Sequence, residues 1–299
     1  MAHIPVLLKE AIEVLKPEPG RFFIDGTIDG GGHAEEILKR ISPKGRLLGI
    51  DLDDSMIESL KRSGRLEKYS KENEIEIFCG NYANLPEILK EKNLPKGDGL
   101  LLDLGFSSEQ LESSGRGFTF KKDEPLIMTY DPSATPVREI LRNIEERELA
   151  DIIYQFGGER FSRKIAAAIK RAGRKKKIET TGELNEIIKS ELPKNYERGR
   201  IEPSTRTFQA LRIYANRELE NLENIIKRIS EAVKLEGRVA IISFHSLEDR
   251  IVKKFFKRMA RQNEIEILTP KPIRPTKEES SRNPRSRSAM LRAARVISN

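Results

Sequence analysis

The sequence predicts an α/β protein: a doubly wound, mostly parallel sheet interrupted by an all-helical insertion. Three observations lead there. Short apolar runs alternate with amphipathic stretches through the first hundred residues. A cluster of glycines separates the first run from the helix that follows it. From about residue 106 to 235 only helical periodicity is found, after which strand character returns.

The strand-like runs are residues 21–25, 46–51, 75–79 and 99–104, short and largely apolar, with helical patterns at 32–40, 54–62 and 84–90 between them. Beyond them lie helical patterns at 147–156, 161–172 and 181–190, and a long one at 205–233. Strands return at 238–244, 264–268 and 294–298. The simplest account is one α/β domain made from residues 1–112 and 216–299, with residues 113–215 as an inserted helical, substrate-binding domain. In such a sheet ligands bind beyond the carboxyl ends of the strands. With the sixth strand parallel and the seventh antiparallel, the basic segment 271–287 comes to that same edge.

The chain has 299 residues, 37% hydrophobic and 34% charged, enough for a full core. No run approaches the ~18 uninterrupted apolar residues of a membrane span, and residues 1–10 read as the approach to an amphipathic helix rather than a signal peptide. A cytoplasmic protein is expected. The single Cys79 reads as a buried strand thiol, and His3, His33 and His245 lack metal-ligand spacing, so no metal is expected. Lys and Arg exceed Asp and Glu by 55 to 47, and the excess is concentrated. Residues 156–177 hold nine basic residues against one acid, and residues 271–299 eight against two, which points to a polyanionic partner.

The run Asp25-Gly26-Thr27-Ile28-Asp29-Gly30-Gly31-Gly32-His33 stands where a first βα turn lets a ligand approach the backbone. Asp51, ending the second strand, can accept the two hydroxyls of a ribose. The loop lacks the G-x-G-x-x-G pattern, and its acids would repel a pyrophosphate. They attract the sulfonium and ammonium of S-adenosylmethionine, the cofactor this charge favours. Tyr82 either lies against the adenine or belongs to the core, and His33 either contacts ligand or is structural. Asp103, at the end of the fourth strand, is placed to act on an acceptor amine or simply to hold the cofactor.

The segments His3 to Leu7, Asp25 to His33, Asp103 to Gln110, Arg116 to Phe118, Glu159 to Ser162, Ser204 to Leu219, Ser243 to Arg250 and Asn283 to Ser288 together resemble the 16S ribosomal RNA cytosine N4-methyltransferase family, in order and over nearly the whole chain. The resemblance implies a Rossmann-like, S-adenosylmethionine-dependent methyltransferase domain with a helical insertion, acting on the RNA of the small ribosomal subunit. It implies cofactor contacts at Gly31, Gly32, His33, Asp51, Tyr82, Asp103 and Gln110. Two places depart from the family pattern. Residues 123–131 read DEPLIMTYD where the family reads like DGPLDMRMD, and Glu202 stands where a His is usual.

For RNA, Arg116, Arg160, Arg163, Lys164, Arg206, Arg285 and Arg287 are candidate phosphate contacts, and Phe106, Phe118 and Phe120 candidate platforms for an extruded cytosine. The structural alternatives are solvated or acid-paired arginines and core phenylalanines. Ser243 and His245 border the site or shape the turn there. Rival functions are methylation of DNA or another RNA base and a non-enzymatic assembly factor that uses the pocket for regulation. The acidic loop disfavours a nicotinamide oxidoreductase.

Overall fold

A computed structural model describes residues 4–105, 114–193, 196 and 202–298. Phe106 and Gln110 lie outside the described residues. Two compact units form, one from Met1–Gly105 with Leu219–Asn299 and one from Phe106–Glu218. The divisions after Gly105 and Glu218 stand seven and three residues from the cuts placed on the sequence.

The first unit holds strands β1 (Phe22–Asp25), β2 (Arg46–Asp51), β3 (Glu74–Cys79), β4 (Gly97–Asp103), β5 (Val233–Ser243), β6 (Ile265–Ile267) and β7 (Met290–Val296). Their order is β3-β2-β1-β4-β5-β7-β6. The first five run parallel, and β7 is antiparallel to both neighbours, which leaves β6 parallel to the rest. Chain direction across the sheet reverses between β1 and β4, so the crevice expected for a ligand opens beyond Asp25 and Asp103.

Strand side chains alternate between two apolar cores. Phe22, Ile24, Leu48, Ile50, Leu100, Leu102, Val239 and Ile241 pack on one face. Phe23, Leu47, Leu101, Ala240 and Ile242 pack on the other. The near-continuous apolar runs follow from burial on both faces.

Helices α1 (Leu8–Leu15), α2 (Gly32–Ile41), α3 (Asp54–Ser63) and α4 (Leu85–Glu91) alternate with these strands. The second unit contains α5 (Val137–Asn143), α6 (Glu146–Gly157), α7 (Ser162–Lys175), α8 (Thr181–Glu191) and α9 (Thr205–Ala215). Its core includes Leu126, Leu141, Leu149, Ile153, Ile165, Leu184, Ile188 and Phe208. After it come α10 (Glu218–Lys227), α11 (Ile229–Ala232), α12 (Ser246–Arg261) and α13 (Lys277–Arg282). Among the described residues no helix is long and apolar enough to cross a membrane.

Three sequence expectations need correction. The helix expected over 205–233 is broken into α9, α10 and α11, with Arg217 at φ 51°. The Asn216 amide donates to the Met128 carbonyl at 2.8 Å and its Oδ1 accepts from the Tyr130 N–H at 2.8 Å. A side chain recruited by a distant loop ends the helix, and helical periodicity carries no trace of that. Cys79 is exposed rather than buried, because β3 is an edge strand and Cys79 is its last residue. Strand β7 begins at Met290, four residues before the expected 294–298 run. Arg292 and Arg295 hid it, and both are paired, with Asp249 and with Glu266.

Candidate active site

The turn after β1 is pinned on both sides by backbone. Gly26 N–H donates to Leu101 O at 2.9 Å, and Ile28 N–H donates to Ile50 O at 2.8 Å. A Cβ on Gly26 would stand 2.5 Å from Leu102 Cδ2, so only glycine lets the chain pass between β4 and the loop. Gly31 has φ 73°, and a Cβ there would meet Leu60 Cδ1 at 2.7 Å. Gly32 follows as the first residue of α2.

Three strand ends supply carboxylates to this loop. Asp25 is buried and its Oδ1 accepts the Thr27 N–H at 3.2 Å. Both oxygens of Asp51 are held by backbone: Oδ2 accepts from Asp29 N–H at 3.0 Å and Oδ1 from Asp53 N–H at 2.9 Å. The carboxylate is thereby fixed while each oxygen keeps a free lone pair. Asp103 N–H donates to Thr27 Oγ1 at 2.6 Å. Its side chain sits 3.6 Å from His33 Nδ1 through Oδ2, and its buried Oδ1 has no hydrogen-bond partner among the described residues.

His33 is buried, with Nε2 3.0 Å from Val6 O. The N-terminal segment that supplies this carbonyl is tied down in turn, since Leu7 N–H donates to Glu279 Oε1 at 2.8 Å and Asn283 donates to Ile4 O at 3.1 Å. His33 is thus fixed between the chain start and Asp103. Tyr82 packs partly buried against the first core, and its Cβ would be 3.3 Å from a side chain on Gly26, which puts it beside the loop.

Crowding of acids in a largely buried site raises their proton affinity. Burial pushes Asp25 up to about 7, helped by the charges of Asp51 and Asp29 and opposed by the Thr27 N–H. Burial likewise raises Asp51 to about 7, with Asp29 and Asp53 adding repulsion. Asp103 is raised well above the ordinary carboxylate range, by burial first and then by Asp25, Asp29 and Glu248. A positively charged ligand would relieve the repulsion among these acids.

A pH dependence follows. Between the ordinary value of 3.8 and about 7 the folded chain holds protons on Asp25 and Asp51 that the unfolded chain has lost. Stability of the ligand-free protein therefore falls as pH rises through that window and levels above it. A cationic ligand shows the opposite trend, binding more tightly as pH rises toward about 7 and releasing protons as it does so. Melting curves at about pH 5 and pH 8, with calorimetry in two buffers of different ionisation heat, check both signs.

The arginines expected at RNA divide into two groups. Arg116 donates from Nη1 to the carbonyls of Thr129 at 3.4 Å and Tyr130 at 3.1 Å and lies over the Phe118 ring. Phe118 is buried and stacked on Tyr130 at 5.2 Å, and Phe120 packs edge-on against Phe208. Arg206 donates to Tyr196 Oη at 3.3 Å, beside the buried Glu159 that Tyr196 also bonds. These side chains organise the second unit. Arg160, Arg163 and Lys164 are exposed on the same unit, as is Arg287 on the first, while Arg285 is half-buried. The register Ser243 with Met290 brings residues 284–288 to the edge where β5 ends, as expected from the sequence. Ser243 donates to Met290 O at 3.2 Å, and His245 caps α12, so both shape that edge.

Sequence reasoning took Asp25 and Thr27 as part of the acidic glycine loop and gave neither a contact of its own. Asp25 ends a strand as Asp51 and Asp103 do, a signal that was present. The bond of Thr27 to Asp103 joins residues far apart in sequence and left none.

The chain matches the MraW methylase family over residues 1–297. It is 42% identical over 311 residues to ribosomal RNA small subunit methyltransferase H of Trichlorobacter lovleyi, covering 99% of this chain and 98% of that one. The protein of the same name from Clostridium botulinum strain Kyoto is 43% identical over 311 residues, covering 99% of each chain. That from Thermotoga neapolitana is 42% identical over 299 residues, covering 99% of this chain and 96% of that one.

Proposed function

The chain belongs to the MraW methylase family, and on that footing we propose that it is an S-adenosylmethionine-dependent methyltransferase that methylates N4 of a cytosine in 16S ribosomal RNA of the small subunit. The observation that carries the chemistry is the buried Oδ1 of Asp103, set among acids beside the glycine turn and without a hydrogen-bond partner among the described residues. When bound, the cofactor supplies an electrophilic methyl group on a cationic sulfur.

The residues present fit such a group. Asp25, Asp29 and Asp51 form an anionic cluster that a cation relieves, and Asp51 keeps lone pairs for the ribose hydroxyls. Gly31, Gly32, Tyr82 and Gln110 complete the proposed cofactor contacts.

The exocyclic amine of cytosine is a poor nucleophile, because its lone pair is delocalised into the ring. Asp103 Oδ1 accepts one amine N–H, which turns the lone pair out of conjugation; the carboxylate stabilises positive charge as the nitrogen–methyl bond forms and the bond from sulfur to methyl breaks, and it then takes the proton that the nitrogen sheds. His33 stands beside that carboxylate, and the Thr27 hydroxyl holds the backbone N–H of the same residue. The helical unit serves as the RNA-binding insertion through Arg160, Arg163 and Lys164, joined by Arg285 and Arg287 on the first unit. The protein works in the cytoplasm, with its substrate in the small ribosomal subunit.

Incubation of small-subunit RNA and of assembled subunits with methyl-labelled S-adenosylmethionine, followed by nucleoside analysis, tests this reading. Label in N4-methylated cytidine is the expected result. Label in another base, in DNA alone, or in no nucleic acid overturns it.

A further inference from the structure

Helix α12 begins three residues after β5 ends, on the edge where Asp103 of β4 pairs with Ile242. One face is core: Val252, Phe255, Phe256 and Met259 are buried. The other carries Arg250, Lys253, Lys254, Lys257, Arg258 and Arg261, all exposed. Spacings of three and four put the six on a single stripe, about 16 Å long at 1.5 Å per residue.

This stripe is not neutralised. The only acids on α12 are Glu248 and Asp249, and both are committed elsewhere. Glu248 accepts the N–H of Phe244 at 2.8 Å and of His245 at 3.3 Å, closing the helix start. Asp249 holds Arg292 at 2.6 and 3.1 Å. Among the described residues none of the six cations has a carboxylate in ion-pair range. Elsewhere in the same unit cations are paired, Arg228 with Glu87 and Glu231, and Arg295 with Glu236 and Glu266. Like charges three and four residues apart repel, so α12 keeps an electrostatic cost that an external polyanion would remove.

We propose that the exposed face of α12 docks the phosphate backbone of an RNA helix flanking the methylated nucleotide. Phosphate contact rather than base reading follows from the composition of the face. The helix's two phenylalanines are buried, which leaves no ring to stack on a base, and six cations spaced along about 16 Å match a run of phosphates. The same absence of exposed apolar side chains argues against a lipid surface, where an amphipathic helix needs an apolar face to insert. The stripe starts at the edge that holds Asp103, so a duplex lying along it leads to the reaction centre.

The inference rests on RNA being the substrate, and the test keeps the two apart. The triple variant Lys253→Gln, Lys254→Gln, Lys257→Gln alters exposed side chains only, and unchanged S-adenosylmethionine affinity confirms its fold. Binding of labelled duplex RNA of arbitrary sequence should weaken at least tenfold at low salt, and the slope of log affinity against log salt should become shallower by about 2 to 3. An unchanged slope with a methylating wild type overturns the docking face alone. So does loss of binding to anionic lipid vesicles, or to an acidic polypeptide, with duplex RNA binding intact. A wild type that transfers no methyl group to RNA overturns the functional reading instead.

Discussion

Replacing Asp103 with Asn is expected to slow single-turnover methyl transfer roughly a hundredfold or more at saturating RNA and cofactor, with a much smaller loss of cofactor affinity. The amide keeps the shape of the side chain and one acceptor oxygen, so an amine N–H can still be received. It loses the charge that meets the cation developing on nitrogen in the transition state. The surroundings of Asp103 sharpen the expectation. Its backbone is held by Thr27 and its Oδ2 lies beside His33, so the variant has little freedom to re-aim the group. Measurement of the saturated rate isolates the chemical step. A rate close to wild type, with affinity reduced, would make Asp103 a cofactor-binding residue and assign proton removal to water or another group.

Asp51→Ala is expected to weaken S-adenosylmethionine binding by about 2 to 4 kcal/mol, the scale of a pair of charge-assisted hydrogen bonds. That corresponds to a loss of roughly thirty- to several-hundredfold in affinity. The alanine also strips acceptors from the N–H groups of Asp29 and Asp53. Asp51→Asn, which keeps an acceptor oxygen and removes only charge, separates loop disturbance from lost ligand contact. Calorimetric titration of both variants reads the effect. Wild-type affinity in a folded Asp51→Ala protein would mean that the nucleoside is held elsewhere.

Residues 21–25, 46–51 and 99–104 were legible as strands because burial on both faces demands short, almost wholly apolar runs, a property each segment carries within itself. The carboxylate closing each run, and the glycines after the first, were legible for the same local reason, and they mark the turn proposed for the cofactor. The resemblance named the reaction. Neither the order of the strands nor the use of individual polar side chains is local. Cys79 is exposed because β3 lies at the sheet edge, and α9 ends where it does because Asn216 bonds Met128 and Tyr130. Arg116 and Phe118 read as candidate RNA contacts, while their bonds to the Tyr130 carbonyl and stacking on the Tyr130 ring depend on neighbours that only folding supplies. The raised proton affinity of Asp25, Asp51 and Asp103 exists only once three separate strand ends meet in a largely buried site. Among the described residues the charge of α12 has no paired carboxylate, since Glu248 and Asp249 are spent on the helix start and on Arg292. Periodicity and composition determine which segments are buried; charge acts through distance and dielectric, and both are set by partners that folding brings from elsewhere in the chain.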